Sequence, residues 1–301
     1  MDGILIINKP SGPTSHDIVD VIRKVSGIKK VGHAGTLDPM ATGVLVILLG
    51  KATKIVRFLE IEPKEYIAEA LFGIDTDTQD ITGNIIKESN AIISINDLKA
   101  VMPKFIGDIL QIPPMASAVK VGGVPLYKLA RKGKIVERPE RKVRIYSLEL
   151  SEFFVAGGKS HAIFKVVCSG GTYIRTLVHD IGSRLGVGAT LKSLKRTKVG
   201  IFSISDSINV ENLTQNRIRE HLISLDKSLK HLPEAVVIDE VVGLVLNGQE
   251  VAEQEIEPYS ISKMPSPGGF VRIKNRAGAL LAIGIRKSND GLITKPEVVF
   301  Y

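Results

Sequence analysis

The chain has 301 residues and a formal net charge of +8, with 40 Lys and Arg against 32 Asp and Glu. Its composition, 44% hydrophobic and 24% charged without a low-complexity tract, excludes a disordered or fibrous protein. A single cysteine, Cys168, excludes an intrachain disulfide. The N-terminal residues do not have the pattern of a signal peptide, and the longest apolar run, residues 44–49, is too short to span a bilayer. We therefore expect a cytoplasmic protein that does not contact a membrane.

The first part of the chain alternates β-like runs with helical patterns. Residues 4–7 predict a strand that ends before Pro10. Ser15 is the expected N-cap of a helix that continues to Lys24, because the apolar residues after it recur at helical spacing. The run 44–49 is either a fully buried strand or the core of a helix, since periodicity does not separate the two. The pattern then predicts strands at 66–72 and 164–167 and a helix at 96–102.

The character of the chain changes after about residue 205. Residues 206–235 predict a helical connector that is broken by Pro233. Residues 236–301 contain short β-like runs between turns rich in glycine and proline, such as the segment 265–269. This spacing predicts a small C-terminal β-barrel of its own.

Basic residues are concentrated in two segments. The segment 120–144 has nine Lys or Arg against two acids, Glu137 and Glu140, and the segment 181–205 has five against none. Such clusters are either solvated faces of a basic protein or a local positive field that attracts a polyanion such as nucleic acid.

Several cofactor and metal signatures are missing from the sequence. Leu45 occupies the position of the first glycine of a phosphate-binding P-loop. The acidic run 75–80 lacks the glycine that a calcium loop needs at its sixth position. The six histidines show no paired helical spacing that would hold a metal ion. We therefore expect neither a metal nor an organic cofactor.

The segment 31–50 combines closely spaced glycines with polar side chains. Gly32 and Gly35 allow tight backbone geometry beside His33, and Pro39 biases Asp38 towards an extended conformation. A carboxylate on such a loop, next to the most apolar run of the chain, suits a catalytic role. The alternative is that His33 and Asp38 only form turns, in which Asp and Gly are frequent.

An ordered series of motifs extends over essentially the whole chain. It comprises Lys9-Pro10, Ser15-His16-Asp17, Gly32-His33-Ala34-Gly35-Thr36-Leu37-Asp38-Pro39, Lys64-Glu65-Tyr66, Asp77-Thr78-Gln79-Asp80, Gln111-Ile112-Pro113-Pro114, Gly171-Thr172-Tyr173-Ile174-Arg175 and Leu194-Lys195-Arg196. The series resembles the TruB family of tRNA pseudouridine synthases. Because every motif occurs in the same order, the resemblance is specific.

The resemblance implies an isomerase that converts uridine 55 of tRNA into pseudouridine. This reaction breaks the N1 glycosidic bond, turns the uracil and rejoins it through C5. Asp38 matches the catalytic aspartate, which acts either as a nucleophile on the sugar or as a base for its 2′ proton. Arg175 matches the arginine that pairs with this aspartate, and Tyr66 matches the aromatic residue that packs on the target base and helps to remove the C5 proton.

Five further positions match the family around the active site. Tyr173 lies two residues before Arg175 in a strand-like run, so the two side chains are expected to face one pocket. Leu194 matches an apolar residue packed near the base, and His33 matches a residue that stacks beside flipped nucleotides. Lys9 and Asp80 match supporting residues: Lys9 belongs to a structural motif, and Asp80 organises the active-site neighbourhood.

The basic segment matches an insertion with which the family grips RNA. Contacts to the RNA backbone are expected from Lys120, Lys128, Arg131, Lys132, Arg141, Lys195 and Arg196. The expected partner is tRNA, held by its T arm and, through the C-terminal unit, by its acceptor end. We expect a monomer that works without a guide RNA.

The family implies an α+β fold in two domains. Residues 1–235 are expected to form the catalytic domain, a mixed, mainly antiparallel sheet flanked by helices, with the RNA-gripping insertion at about 120–144. Residues 236–301 are expected to form a PUA-like barrel.

Two alternative functions remain open beside this prediction. The first is a synthase directed by a guide RNA, although such relatives usually carry additional N-terminal sequence. The second is a non-catalytic RNA-folding protein on the same scaffold. The presence of Asp38, Tyr66 and Arg175 together argues against the second alternative, because folding RNA alone needs no aspartate in a pocket.

Overall fold

The computed structural model of the chain describes residues 1–130, 132–134, 136–261, 264–289 and 291–300. Its strands are β1 (Gly3–Lys9), β2 (Val31–Ala34), β3 (Thr42–Leu49), β4 (Lys64–Phe72), β5 (Ile74–Thr76), β6 (Ile85–Glu88), β7 (Gly107–Gln111), β8 (Lys120–Val121), β9 (Val124–Pro125), β10 (Arg141–Ala156), β11 (Lys159–Cys168), β12 (Ala189–Val199), β13 (Phe202–Ser203), β14 (Ile208–Asn209), β15 (Glu234–Val236), β16 (Phe270–Lys274), β17 (Leu280–Asn289) and β18 (Gly291–Val299). Its α-helices are α1 (Ser15–Ser26), α2 (Ile95–Val101), α3 (Leu126–Ala130), α4 (Ile174–Arg184), α5 (Gln215–Glu220), α6 (Leu225–Ser228), α7 (Val242–Leu246) and α8 (Pro258–Ile261).

Ten strands form one large mixed sheet. Their order is β14-β1-β3-β12-β4-β11-β10-β7, with β2 paired to β3 and β13 paired to β12. The β1–β14 and β3–β12 pairs are parallel, and the other neighbours are antiparallel. The predicted mixed, mainly antiparallel sheet is therefore confirmed. The open question about residues 44–49 is answered by β3, a central strand whose side chains are almost all buried, which explains their continuous apolar run.

Each face of this sheet packs against a different layer. Helices cover one face, where Ile18 and Ile22 of α1 and Leu177 and Ile181 of α4 join a single hydrophobic core with the strands. The other face packs against two 3-10 helices, Gly50–Lys54 and Val56–Phe58, and against side chains of the C-terminal strands. The loop between β2 and β3, which carries Asp38, is thus anchored to a sheet that is buried on both sides.

The N-cap of helix α1 lies one residue before the predicted one. Thr14 is the N-cap, because its hydroxyl accepts the N–H of Asp17 while the Asp17 carboxylate accepts the N–H of Thr14. The hydroxyl of Ser15 is used elsewhere: it accepts the N–H of Leu37 at 2.9 Å and donates to the carbonyl oxygen of Leu37 at 3.1 Å. The prediction of Ser15 as N-cap is therefore wrong, since this serine holds the loop before Asp38.

The C-terminal strands form a separate small sheet in the order β15-β16-β17-β18. A segment after α7 joins the two edges of this sheet, because Val251 pairs with Thr294 of β18 and Ile256 pairs with Val237 just after β15. This closure gives the barrel-like unit that the turn-rich sequence predicts. Its first strand spans Glu234–Val236, and the division of the chain into domains near residue 235 stays a prediction.

The two remaining predicted regions have mixed structure. The connector 206–235 contains the short helices α5 and α6, but also β14, which pairs in parallel with β1. The basic insertion contains the β8–β9 hairpin and α3, which pack through Met115, Val119 and Leu126. Arg131, which was predicted to contact RNA, lies outside the described residues. Within the described residues, no helix has the length and apolar character needed to cross a bilayer.

Candidate active site

Asp38 lies in the loop that joins β2 to β3. The loop is fixed before this residue by the hydroxyl of Ser15, which bonds to the backbone of Leu37. It is fixed after it because the N–H of Gly12 donates to the carbonyl oxygen of Pro39 at 2.9 Å and the N–H of Ala41 donates to that of Asp38 at 3.1 Å. The side chain of Asp38 is 33% exposed, although the loop around it is anchored. A substrate therefore has access to this carboxylate.

Arg175, at the second position of α4, is the ion-pair partner of Asp38. Its Nη2 donates to Oδ1 of Asp38 at 3.1 Å, and its Nε lies 3.0 Å from Oδ2. The side chain of Arg175 is only 4% exposed. Two contacts between planar groups fix the orientation of the carboxylate, and the positive charge of Arg175 favours its ionised form.

Asp80 is the second carboxylate bound by Arg175. Nη1 of Arg175 donates to Oδ2 of Asp80 at 3.2 Å and to the carbonyl oxygen of Thr78 at 3.1 Å, while Nη2 also donates to the carbonyl oxygen of Ala116 at 2.9 Å. Oδ1 of Asp80 accepts the N–H of Thr82 at 3.0 Å and the hydroxyl of Thr78 at 2.9 Å. Contacts at Nε, Nη1 and Nη2 therefore hold the guanidinium group of Arg175 in one orientation.

The environment of Asp38 shifts its acidity. Burial raises the pKa of Asp38 above the ordinary 3.8, the positive charge of Arg175 acts in the opposite direction, and the negative charge of Asp80 raises it further. The net rise makes this carboxylate a better proton acceptor than an ordinary aspartate, and Arg175 limits the rise.

Lys9 supports the same loop from inside the protein. This residue is fully buried, and its Nζ donates to the carbonyl oxygens of Pro10 and Pro13 at 2.8 Å and of Pro39 at 3.1 Å. Burial lowers the pKa of Lys9 to about 8, while the charge of Asp38 raises it. With such a pKa the ammonium group is still mostly protonated at neutral pH. Lys9 thus connects the β1 end to the Asp38 loop.

Tyr66 and Leu194 form an apolar wall near this carboxylate. They lie on the neighbouring strands β4 and β12, where Tyr66 pairs with Arg196 and Leu194 pairs with Ala68. Both are buried and belong to the core on the helical face of the sheet. Burial raises the pKa of Tyr66 above 10, and the charge of Asp38 adds to this rise, so the phenol stays protonated at neutral pH.

Arg196 lies inside the protein and cannot contact RNA from the surface. It is 1% exposed, and its guanidinium donates to the carbonyl oxygens of Val44 at 2.8 Å, Thr36 at 3.2 Å and Gly35 at 2.9 Å. The prediction of an RNA contact is wrong here, because this arginine fastens both ends of the Asp38 loop. The other predicted RNA contacts within the described residues are exposed: Lys120, Lys128, Lys132, Arg141 and Lys195.

The segment around Tyr173 is not a strand. Helix α4 begins at Ile174 with Tyr173 as its N-cap residue, so the predicted alternation with Arg175 is wrong. The side chain of Gln111 replaces a neighbouring strand: its Oε1 accepts the N–H of Tyr173 at 3.0 Å, and its Nε2 donates to the carbonyl oxygen of Tyr173 at 3.2 Å. Tyr173 then packs on the insertion beside Met115. Sequence reasoning did not assign Gln111, although its Gln-Ile-Pro-Pro motif was a visible signal.

His33 lies on β2 opposite Ile47, on the same loop-bearing hairpin as Asp38. Burial lowers its pKa below the ordinary 6.5, with a smaller effect from the charge of Arg196. Its Nδ1 is buried without a hydrogen-bond partner among the described residues. A neutral imidazole of this kind is suited to stacking against a base.

The chain matches two domains of one protein family. Residues 23–174 match the TruB family pseudouridylate synthase N-terminal domain, and residues 175–237 match the tRNA pseudouridylate synthase B C-terminal domain. The chain belongs to the TruB family. It is therefore an isomerase of the pseudouridine synthase class, and the resemblance seen in the sequence is confirmed.

Individual relatives of the TruB family cover nearly the whole chain. The tRNA pseudouridine synthase B of Clostridium tetani is 47% identical over 258 residues, which are 85% of this chain and 88% of the relative. That of Clostridium novyi is 40% identical over 296 residues, which are 98% of this chain and 99% of the relative. A chain in the structure of an H/ACA RNP bound to a substrate RNA containing 2′-deoxyuridine is 27% identical with a TM-score of 0.72, and the match covers 99% of this chain and 85% of that one.

The TruB motifs meet at one place in the structure. Asp38, Asp80 and Arg175 are distant in sequence but form one continuous network of ion pairs. Tyr66 and Leu194 supply the apolar wall near it. The sequence predicted these five residues for the active site, whereas the supports supplied by Gln111 and Arg196 become visible only in the fold.

Proposed function

We propose that this protein converts uridine 55 in the T arm of tRNA into pseudouridine, with Asp38 as the catalytic carboxylate. The observation that carries this proposal is the asymmetry of the ion pair: Asp38 is 33% exposed, whereas Arg175 behind it is 4% exposed. An ion pair with only a structural role has no need for an accessible carboxylate. A catalytic aspartate needs access to the substrate and a rigid partner that sets its orientation.

The chemistry fits a single carboxylate without a cofactor. The N1–C1′ bond of the nucleotide breaks, the uracil turns, and a C5–C1′ bond forms, while a proton leaves C5 and another is taken up at N1. Asp38 assists either by attacking C1′ or by removing the 2′ proton. Both routes require the ionised carboxylate, which Arg175 orients and whose basicity burial increases.

The apolar wall supports retention of the uracil during its turn. We infer that Tyr66 packs on the base, with Leu194 beside it. Because burial raises its pKa above 10, the phenol serves as a contact surface and hydrogen-bond donor and not as a strong base in the free protein. His33 occupies the adjoining hairpin, where a neutral planar side chain can stack where the flipped nucleotide leaves the RNA.

The RNA surface follows from the exposed basic residues. We infer that the T arm lies along the insertion, where Lys120, Lys128 and Lys132 are exposed, and that the C-terminal sheet contacts the acceptor end. The named relatives are tRNA pseudouridine synthases, which favours tRNA as the substrate. We further infer a monomer that acts in the cytoplasm without a guide RNA.

Site mapping on an unmodified tRNA tests this proposal. Purified protein alone is incubated with a tRNA transcript, and pseudouridine is located by mass spectrometry of nuclease fragments. We expect conversion at position 55 and no conversion in a transcript that carries cytidine there. An isolated T-arm hairpin should also react. Conversion at another uridine, or a requirement for a guide RNA, would contradict the proposal.

A further inference from the structure

We propose that Lys64 binds a backbone phosphate next to the target nucleotide and thereby positions the RNA over Asp38. This inference rests on the proposed function, because it places an RNA strand across the Asp38 loop. It assigns a substrate contact to Lys64, the first residue of β4, which is not among the RNA contacts predicted from the sequence.

Lys64 lies on the same side of the sheet as Tyr66. The two residues are two positions apart on β4, so their side chains leave the strand on one face. Lys64 pairs with Cys168 on β11 and with Val199 on β12, while Tyr66 pairs with Arg196 on β12. Lys64 is therefore next along the strand from the residue that forms the wall of the active site.

The ammonium group of Lys64 lies between two glycine loops. A Cβ atom placed on Gly35 would be 3.8 Å from Nζ of Lys64, and one placed on Gly170 would be 3.5 Å from it. Gly35 belongs to the loop that carries Asp38, and Gly170 follows β11. Because Gly35 has no side chain, the loop that carries Asp38 does not cover the ammonium group, whereas the carboxylate of Glu62 fills the space beside Gly170. The approach for an RNA backbone is therefore from the Gly35 side.

The ammonium group of Lys64 is not paired with a contacting acid among the described residues. Its Nζ makes no hydrogen bond or ion pair with any of the residues that the structure describes. The nearest acid, Glu62, uses Oε1 to accept the N–H of Gly170 at 2.8 Å. Burial lowers the pKa of Lys64 and the charge of Arg196 lowers it further, while the charge of Glu62 acts in the opposite direction. An anion placed here would stabilise the ammonium group and restore its ordinary basicity.

The chemistry of the substrate favours a phosphate as that anion. RNA carries one negative charge per nucleotide, and the phosphates on either side of the target uridine are the anions nearest to its ribose. Lys64 is a compact cation on a flexible stem, which suits a phosphate oxygen approached from between two loops. The uracil itself is expected against Tyr66, so the neighbouring backbone passes Lys64.

The salt dependence of RNA binding tests this contact independently of catalysis. We compare wild-type protein, Lys64→Met and Lys64→Arg in binding a T-arm hairpin at several salt concentrations. One lost phosphate contact lowers the slope of log affinity against log salt by about 0.7 to 0.9. We expect this reduction for Lys64→Met and a wild-type slope for Lys64→Arg. An unchanged slope for Lys64→Met would overturn the proposal.

Lys165→Met is the matched control. Lys165 is on the adjacent strand β11 opposite Ile67, so it leaves the sheet on the other face, and it pairs with Glu65 at 3.1 Å. We expect this variant to keep the wild-type slope. Circular dichroism checks that each variant is folded, and Lys64→Gln replaces Lys64→Met if the latter fails to fold.

Neutral phosphate analogues locate the contact on the RNA. We measure the affinity of wild-type protein and of Lys64→Met for hairpins that carry a methylphosphonate on the 5′ or the 3′ side of the target uridine. We expect one of these modified hairpins to bind to the wild type more weakly than the unmodified hairpin does. The same modified hairpin should bind to Lys64→Met as tightly as the unmodified hairpin does. Weakening of the same size in both proteins, at both positions, would exclude a phosphate beside the target nucleotide. These binding assays remain informative if conversion at position 55 fails, so the two proposals are judged separately.

Discussion

At the scale of single residues, Arg175 joins two carboxylates with different surroundings. Asp38 is partly exposed, whereas Asp80 is 5% exposed and is held by Thr78 and Thr82. We infer that Asp80 is a positioning residue, which acts on the substrate only through Arg175 and Asp38. Its charge also reaches Asp38 and raises the pKa of that residue.

Replacement of Asp80 by asparagine should change both the rate and its pH dependence. Conversion should slow by roughly 10- to 100-fold, because Arg175 loses one of its anchors and the carboxylate loses its fixed orientation. In the wild type the rate falls as pH drops through the raised pKa of Asp38. Since Asp80→Asn removes a charge that raises this pKa, the acid limb should move to lower pH. Single-turnover rates between pH 4 and 8 measure both effects.

The control for this experiment is Asp20→Asn. Asp20 lies on the exposed side of α1, where it pairs with Arg23 at 2.7 Å, and its loss should leave both rate and pH limb unchanged. An acid limb that moves to higher pH in Asp80→Asn would contradict the assigned sign of the charge effect.

The sequence predicts the proposed catalytic residues better than the residues that support them. Asp38 and Arg175 stand in motifs, and the structure brings them together as expected. Gln111 also stands in a motif, but its role is not readable from it, because Gln111 acts on backbone groups of Tyr173 that are 62 positions away in the chain. Lys9 and Arg196 bind carbonyl oxygens, so their partners are not recognisable from side-chain identity.

At the scale of elements, β12 anchors the active-site loop through one side chain. Arg196 reaches across to Gly35, Thr36 and Val44, which lie before and after Asp38. The strand thus connects the apolar wall at Leu194 with the loop that carries the carboxylate. A substitution that breaks the contacts of β12 with this loop should therefore lower both the stability and the catalytic rate.

Arg196→Met should destabilise the protein by roughly 2 to 5 kcal/mol, because the buried carbonyl oxygen of Val44 and the partly buried ones of Gly35 and Thr36 lose their donor. Urea denaturation measures this as a lower midpoint with an unchanged slope. Lys198→Met on the same strand is the control, and its exposed side chain predicts a change within about 0.5 kcal/mol. Equal stability of the two variants would show that Arg196 does not fasten the loop.

Element types are predicted where one local signal dominates, and misread where a distant partner decides. Strands β4 and β11 follow from their β-branched and alternating sequences. The extended Tyr173 looks like part of a strand, but it only receives the side chain of Gln111 before α4 begins. Ser15 has the chemistry of an N-cap, and its hydroxyl is instead bound to Leu37.

At the scale of the whole molecule, the two sheets share a hydrophobic core. The rings of Phe58 and Phe270 meet edge to face with centroids 4.9 Å apart, and Ile283 and Phe300 join the same cluster. Arg272 on β16 also pairs with Asp226 of the connector at 2.7 Å. This joint core was not predictable from the sequence, because turn spacing alone indicates a separate unit and does not say what it packs against.

The shared core predicts that both sheets unfold in one transition. The chain has no tryptophan, so Tyr259→Trp, at an exposed position of the C-terminal unit, gives a local fluorescence probe. Its denaturant curve should coincide with that from far-UV circular dichroism. Phe58→Ala in this background should lower the free energy of unfolding by roughly 3 to 5 kcal/mol, so that both curves move to lower denaturant concentration. A fluorescence transition that precedes the circular dichroism transition would contradict a common core.

The catalytic role of Asp38 is tested most directly by single-turnover conversion with the Asp38→Asn variant. Asparagine keeps the size of the side chain and one oxygen for Arg175, but it removes the charge needed for either chemical route. The T-arm hairpin should bind to the variant within about threefold of the wild-type affinity, since phosphate contacts dominate binding. No pseudouridine should form under these conditions. Conversion by Asp38→Asn at the wild-type rate would contradict the assignment of this carboxylate as the catalytic group.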